Sequence, residues 1–134
     1  LVEGDLVLGT VPILYRSESF VAVDKPSGLL SVPSRLGAAD LRQVLGIELE
    51  KQLKTRLWPI HRLDEEVSGA ILFALSPLAH KAANSWFEHR LVAKSYEAFS
   101  IGDGGIGQGD SFTWTCKLAR GKKRAYIQEA IGKD

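Results

Sequence analysis

The sequence predicts an α+β fold, a mixed, largely antiparallel sheet with flanking helices. Three observations predict it. Short β-prone runs alternate with polar turns, and two longer segments repeat apolar residues at helical spacing. Between these runs fall turn and start signals such as Lys25-Pro26-Ser27-Gly28 and Ser76-Pro77.

Residues 1–12 form a leader to which no element is assigned. Residues 13–15 read as a strand, Arg16-Ser17-Glu18-Ser19 as a polar turn, and residues 20–23 as the second arm of a hairpin. In Lys25-Pro26-Ser27-Gly28, Pro sets one backbone angle and Gly frees another, so the chain turns there. Residues 39–53 are expected to be helical. Asp40 is the expected N-cap, and Leu41, Val44, Leu45, Leu49 and Leu53 recur at helical spacing. Gly46 weakens that helix by about 1 kcal/mol.

Pro59 pushes Trp58 toward extended geometry. Residues 70–75 read as a buried strand. Ser76 then caps a helix that has Pro77 at its first position. Leu78, Ala79, Ala82, Ala83, Trp86, Phe87 and Arg90 share one broad face of it. Residues 94–99 are expected to be a strand, residues 102–110 a Gly-rich loop, and residues 112–118 and 125–130 two more strands. The Gly-rich stretch lacks the Lys-Ser/Thr ending of a phosphate-cradling loop.

A chain of 134 residues suits one domain with a real core. No apolar run approaches the roughly 20 residues of a membrane span. The first residues lack the basic and apolar regions of a signal peptide. No membrane role is expected. The single Cys116 excludes an internal disulfide framework and fits a reducing compartment, hence a cytoplasmic protein. Its expected role is a small apolar packer. A formal net charge of +1 does not announce nucleic-acid binding. Two basic clusters could neutralise phosphates: Lys51, Lys54, Arg56, His61 and Arg62, then Lys117, Arg120, Lys122, Lys123 and Arg124. A solvated loop is the equal alternative for the second.

The segment His61-Arg62-Leu63-Asp64, followed by Ser68-Gly69, carries the most chemistry. In extended backbone, residues i and i+2 point the same way, so Arg62 and Asp64 can face one site. An ordinary ion pair between them is the alternative that spacing leaves open. His61 with His80 and His89 has no recognised metal-ligand spacing, and no metal is expected. His61 is read as a structural residue holding the motif loop, and His80 and His89 as helix-surface residues. Ser68 is not flanked by the Gly-x-Ser-x-Gly of a nucleophile elbow. Ser68-Gly69 is expected to shape the turn, with Ser68 capping backbone groups.

Three ordered segments resemble the RluA-type family of pseudouridine synthases, which isomerise uridine in structured RNA. Residues 13–33 resemble its opening strand pair and Lys-Pro-x-Gly turn. Residues 61–69 resemble its catalytic motif. Phe87-Glu88-His89-Arg90 through Lys94-Ser95-Tyr96-Glu97-Ala98 resembles its helix end and Lys-x-Tyr-x-Ala strand. The resemblance implies that Asp64 is the catalytic carboxylate and Tyr96 the active-site tyrosine lying against the flipped uracil. It implies that Arg62 holds the distorted RNA, with Lys94 also in RNA contact. Lys25 has two open roles, contact with RNA or bracing of its turn. The reaction has no redox step, so no cofactor is implied. The implied partner is an rRNA or tRNA stem-loop, recognised through shape and unstacked bases, with no DNA expected. Oligomeric state is not legible.

Two departures stand out. Val67 occupies a position where the family usually has Thr, and so lacks a hydroxyl. Residues 102–134 do not match the later family segment that carries an Arg partner for the catalytic Asp. The chain is therefore expected to be a partial catalytic domain, inactive in isolation. The alternatives are a non-catalytic RNA-binding relative, and a small hydrolase using Asp64 with His61.

Overall fold

The computed structural model describes residues 10–99, 117–120 and 125–128. The chain divides into two compact units, Leu1–Lys94 and Ser95–Asp134.

The first unit is built on a four-stranded antiparallel sheet. Strands β1 (Ile13–Arg16), β2 (Phe20–Lys25), β3 (Trp58–Pro59) and β4 (Gly69–Ala74) are ordered β1-β2-β4-β3. The expected hairpin is β1–β2, with a bulge between Ile13 and Tyr15. Ser17 closes its turn by accepting from the Phe20 N–H at 3.0 Å. Alternation along β2 and β4 sends side chains to two faces. Val21, Val23, Ile71 and Phe73 join one apolar cluster, and Phe20, Leu72 and Ala74 join another. Helix α1 (Leu45–Leu53) supplies Leu45 and Leu49 to the first cluster. Helix α2 (Pro77–Glu88) supplies Ala79 and Ala83 to the second. One helix covers each face of the sheet, the flanking arrangement the sequence predicts.

The start of α2 follows its signals: the Ala79 N–H donates to the Ser76 hydroxyl, and Pro77 sits in the first turn. Its buried stripe is narrower than expected, because Leu78 and Ala82 are exposed. The start of α1 differs from expectation. The helix begins at Leu45 rather than Ala39, and Val44 stands at its N-cap. A short 3-10 turn, Gly37–Ala39, precedes an irregular stretch with a bend at Arg42. The reason is a competing backbone partner. Leu30 forms a parallel bridge with Val44, its N–H donating to Gln43 and its carbonyl accepting from Leu45. Leu41, placed on the apolar face by periodicity, is 94% exposed. Gly46 has a packing role: a Cβ there would meet the Ser31 carbonyl at 3.4 Å and the Phe73 ring at 3.6 Å.

In the second unit, β5 (Lys117–Arg120) and β6 (Ala125–Gln128) pair as an antiparallel hairpin. Strand β6 lies within the strand expected over 125–130, and β5 overlaps the one expected over 112–118 at Lys117 and Leu118 and runs on to Arg120; residues 112–116, 129 and 130 lie outside the described residues. Residues 95–99 are irregular, as is Lys94 at the end of the first unit. The strand expected over 94–99 is therefore corrected: β-prone residues form a strand only where a ladder partner meets them. The Gly-rich stretch, Cys116 and Lys122 to Arg124 lie outside the described residues, as do residues 1–9 of the leader.

Candidate active site

The loop between β3 and β4, residues 60–68, carries the His61-Arg62-Leu63-Asp64 segment. Burial alternates along it. Leu63 is buried in the core, and Arg62 and Asp64 are exposed on either side. That is the outcome expected of extended backbone. Both exposed residues line one cleft of about 260 Å³, with Ser31, Pro33, Arg42, Glu65 and Glu66 among the other walls. Arg62 and Asp64 are not ion-paired. Among the described residues the Asp64 carboxylate has no hydrogen-bonded or salt-bridged partner.

Segment 25–31 braces the loop from beneath. The Ser31 hydroxyl, buried at 3% exposure, donates to the Leu63 carbonyl at 2.6 Å and accepts from the Leu63 N–H at 3.0 Å. Lys25 is wholly buried. Its ammonium donates to the carbonyls of Pro26 (3.1 Å), Glu65 (3.1 Å) and Val67 (2.7 Å). The Gly28 N–H donates to the Glu65 carbonyl at 2.8 Å, and the Ser27 hydroxyl to that of Glu66 at 2.9 Å. Gly28 holds φ at 87°, a region Gly enters without strain. The Lys-Pro-Ser-Gly turn is thus the floor under Asp64.

This geometry assigns Lys25 the bracing role. All three of its donors are occupied by main-chain carbonyls, so it is not presented to RNA. Burial lowers its pKa, opposed by the nearby charges of Glu65, Glu66 and Asp64. Ser68 does not cap the turn as expected. It is exposed and makes no hydrogen bond among the described residues. Gly69, at φ 125°, and Lys25 shape the exit into β4 instead. Val67 packs against the core, where its methyl groups suit the surroundings.

His61 is structural, as its sequence reading holds. Past the end of β3 the Ile60 N–H still donates to the Leu72 carbonyl at 3.4 Å, but the Leu72 N–H donates to His61 Nε2 at 3.1 Å rather than to a strand carbonyl. The imidazole stands in for a missing strand acceptor. Burial, then the charge of Lys94, pushes its pKa below the ordinary value. A neutral ring is what an accepting Nε2 requires. That bond occupies the lone pair a general base would use, which counts against a His61–Asp64 hydrolase. His61 stacks on Phe87 with centroids 5.4 Å apart, and the Lys94 ammonium lies 5.8 Å from the Phe87 centroid. Lys94 thus stands toward the His61 end of the loop. Tyr96 is 64% exposed and belongs to the second unit.

His80 faces β3, its Nε2 3.0 Å from the Pro59 carbonyl, and His89 lies at the end of α2. Among the described residues no group of three His, Cys, Asp or Glu side chains converges as a metal site. In the first basic cluster Lys51 pairs with Glu48 at 2.8 Å, and Arg56 lies over Trp58 at 5.5 Å.

Sequence reasoning missed Ser31, Arg42 and Glu65. Arg42 binds Asp40 through Nε at 2.8 Å and Nη2 at 2.6 Å, and Glu65 through Nη1 at 2.6 Å. Asp40 also accepts from Ser34. The Arg42 guanidinium, with the Ser34 hydroxyl, holds Asp40 far below the usual carboxylate range. Asp40 and then Glu65 raise Arg42 further above its own. The only signal in the sequence was polar residues inside or beside apolar text.

Known proteins resemble this chain over much of its length. The tRNA pseudouridine synthase C of Pasteurella multocida is 38% identical over 101 residues, covering 72% of this chain and 41% of that protein. The Dual-specificity RNA pseudouridine synthase RluA of Vibrio vulnificus is 37% identical over 86 residues, covering 64% of this chain and 33% of that protein. The chain therefore spans about two fifths or less of these relatives. The solved structure of Human RNA Pseudouridylate Synthase Domain Containing 4 is 31% identical, with a TM-score of 0.46, covering 60% of this chain and 30% of that one. The sequence profile described as RNA pseudouridylate synthase matches residues 19–131. This match takes in both the braced Asp64 loop and the turn beneath it, and the chain belongs to the RNA pseudouridylate synthase family.

Proposed function

We propose that the protein carrying this chain isomerises uridine to pseudouridine in a structured RNA, with Asp64 as the catalytic carboxylate. One observation carries the reading. A carboxylate with no partner among the described residues stands in a cleft beside Arg62, on a loop pinned at Leu63, Glu65 and Val67. Holding a reactive group on a rigid support is what positional catalysis needs.

The reaction breaks the bond from ribose C1′ to uracil N1, turns the base, and joins C1′ to C5. The C5 proton leaves and N1 gains one, so atoms balance without an oxidant. Asp64 either attacks C1′ or removes a sugar proton, and both need an ionised carboxylate. Arg62 holds the backbone or base stack opened when the uridine flips out. Lys94 adds a phosphate contact, and Tyr96 lies against the flipped base. The names of the relatives support RNA as substrate, tRNA among them; within this reading the RNA is a tRNA or rRNA stem-loop, with no role for DNA or a membrane surface. The same reading puts the protein in the cytoplasm.

The test is pseudouridine mapping on total RNA from cells lacking the gene, complemented with wild type or Asp64→Asn. A site restored by wild type and not by the variant is expected. Equal rescue by both would remove Asp64 from the chemistry.

A further inference from the structure

The cleft holding Asp64 has two walls, and one long-range ion pair among the described residues joins them. Glu65 follows Asp64 directly in the chain. Arg42 lies at the bend before α1 and reaches it at 2.6 Å across 23 residues. Both residues line the cleft. Arg42 is itself fixed. Two bonds to Asp40 lock the guanidinium plane, the Arg42 N–H donates to Asp40 at 3.2 Å, and Ser34 anchors the same carboxylate. The Arg42 side chain is 44% and the Glu65 side chain 30% exposed, and it is the hold of two carboxylates on one fork that makes the pair a strut.

The other braces act on main-chain carbonyls and amides beneath the loop. Lys25, Gly28 and Ser31 set its height above the core. The strut acts on a side chain and from the facing wall, so it sets how far the loop stands from segment 34–42. That segment also borders a second cavity of about 450 Å³, which shares Leu30, Pro33, Ser34 and Arg42 with the first. Without the strut, the wall between the two cavities loses its tie to the Asp64 loop.

We propose that Arg42 is a positioning residue for the isomerisation, acting through Glu65 to fix the width of the cleft at Asp64. The proposal rests on the reading of Asp64 as the catalytic carboxylate. Arg42 touches neither substrate nor reacting atoms in this role. Its charge is matched by Asp40 and Glu65, so it is not offered as a phosphate contact. Misplacing a catalytic group by a fraction of an ångström slows turnover while leaving RNA binding to other residues.

The test uses the intact protein with Arg42→Gln, Glu65→Gln, the double variant, Arg42→Lys and the exposed neighbour Leu41→Ala. Steady-state kinetics are read on the RNA that mapping identifies, and hydrogen exchange is read at residues 63–67. Arg42→Gln should lower kcat about tenfold with KM changed by no more than about twofold, and should speed exchange in the loop. The double variant should be no worse than the worse single, as for partners in one contact. Arg42→Lys should fall between Gln and wild type, and Leu41→Ala should match wild type. A raised KM at unchanged kcat would make Arg42 an RNA contact and overturn the proposal. So would faster exchange with unchanged kcat. If wild type turns over no RNA, the functional reading fails by itself, and unchanged exchange in Arg42→Gln would then dispose of the strut as well.

Discussion

The Ser31 hydroxyl holds both backbone groups of Leu63, donating to its carbonyl at 2.6 Å and accepting from its N–H at 3.0 Å. Leu63 lies between Arg62 and Asp64, so one buried side chain fixes the backbone that presents both. A hydroxyl suits the position because it donates and accepts at once.

Ser31→Ala should therefore act on the loop more than on the rest of the fold. It leaves a buried N–H and a buried carbonyl unpartnered, a loss of about 1–3 kcal/mol. Hydrogen exchange at the Leu63 amide should accelerate, and turnover should fall with little change in RNA affinity. Unchanged exchange at Leu63 would show that water or a shifted backbone replaces the hydroxyl.

Lys25→Met keeps the volume and removes three hydrogen bonds to main-chain carbonyls. Urea unfolding of the intact protein should show a loss of about 2–4 kcal/mol. RNA affinity measured well below the unfolding midpoint should stay within about twofold, because the ammonium is buried. A large loss of affinity at unchanged stability would restore the RNA-contact role.

His61 links stability to pH. Its folded pKa is lowered by burial and by Lys94, so the unfolded chain takes up the proton first as pH falls. Its contribution is complete above the unfolded value of about 6.5 and declines as pH drops toward the lower folded value. The urea midpoint should fall in that window. His61→Gln, whose amide oxygen reaches about as far as Nε2, can accept from the Leu72 N–H without titrating and should flatten this part of the profile. An equally steep fall in His61→Gln would assign the dependence to other groups.

Local features of this fold were legible in residue order. The β-prone run at residues 20–23, the Ser76-Pro77 start and the spacing of Arg62 and Asp64 each act within a few residues, and the structure carries each one. The start of α1 was misread because Leu41 and Asp40 satisfy a helical pattern. The backbone of residues 43–45 pairs with Leu30 instead, and Asp40 turns to Arg42 and Ser34. A periodic pattern does not disclose such a distant partner.

The sequence by itself determined the fold class, the family, the motif loop and the structural part played by His61. Only the tertiary structure decided that Lys25 is a brace, that Ser31 pins Leu63, and that Arg42 ties the facing wall to Glu65. These contacts span 23 to 42 residues. Lys25 and Ser31 bind main-chain groups, which every residue possesses. Such partners leave no mark in the sequence, because a carbonyl oxygen has the same chemistry whatever side chain it accompanies.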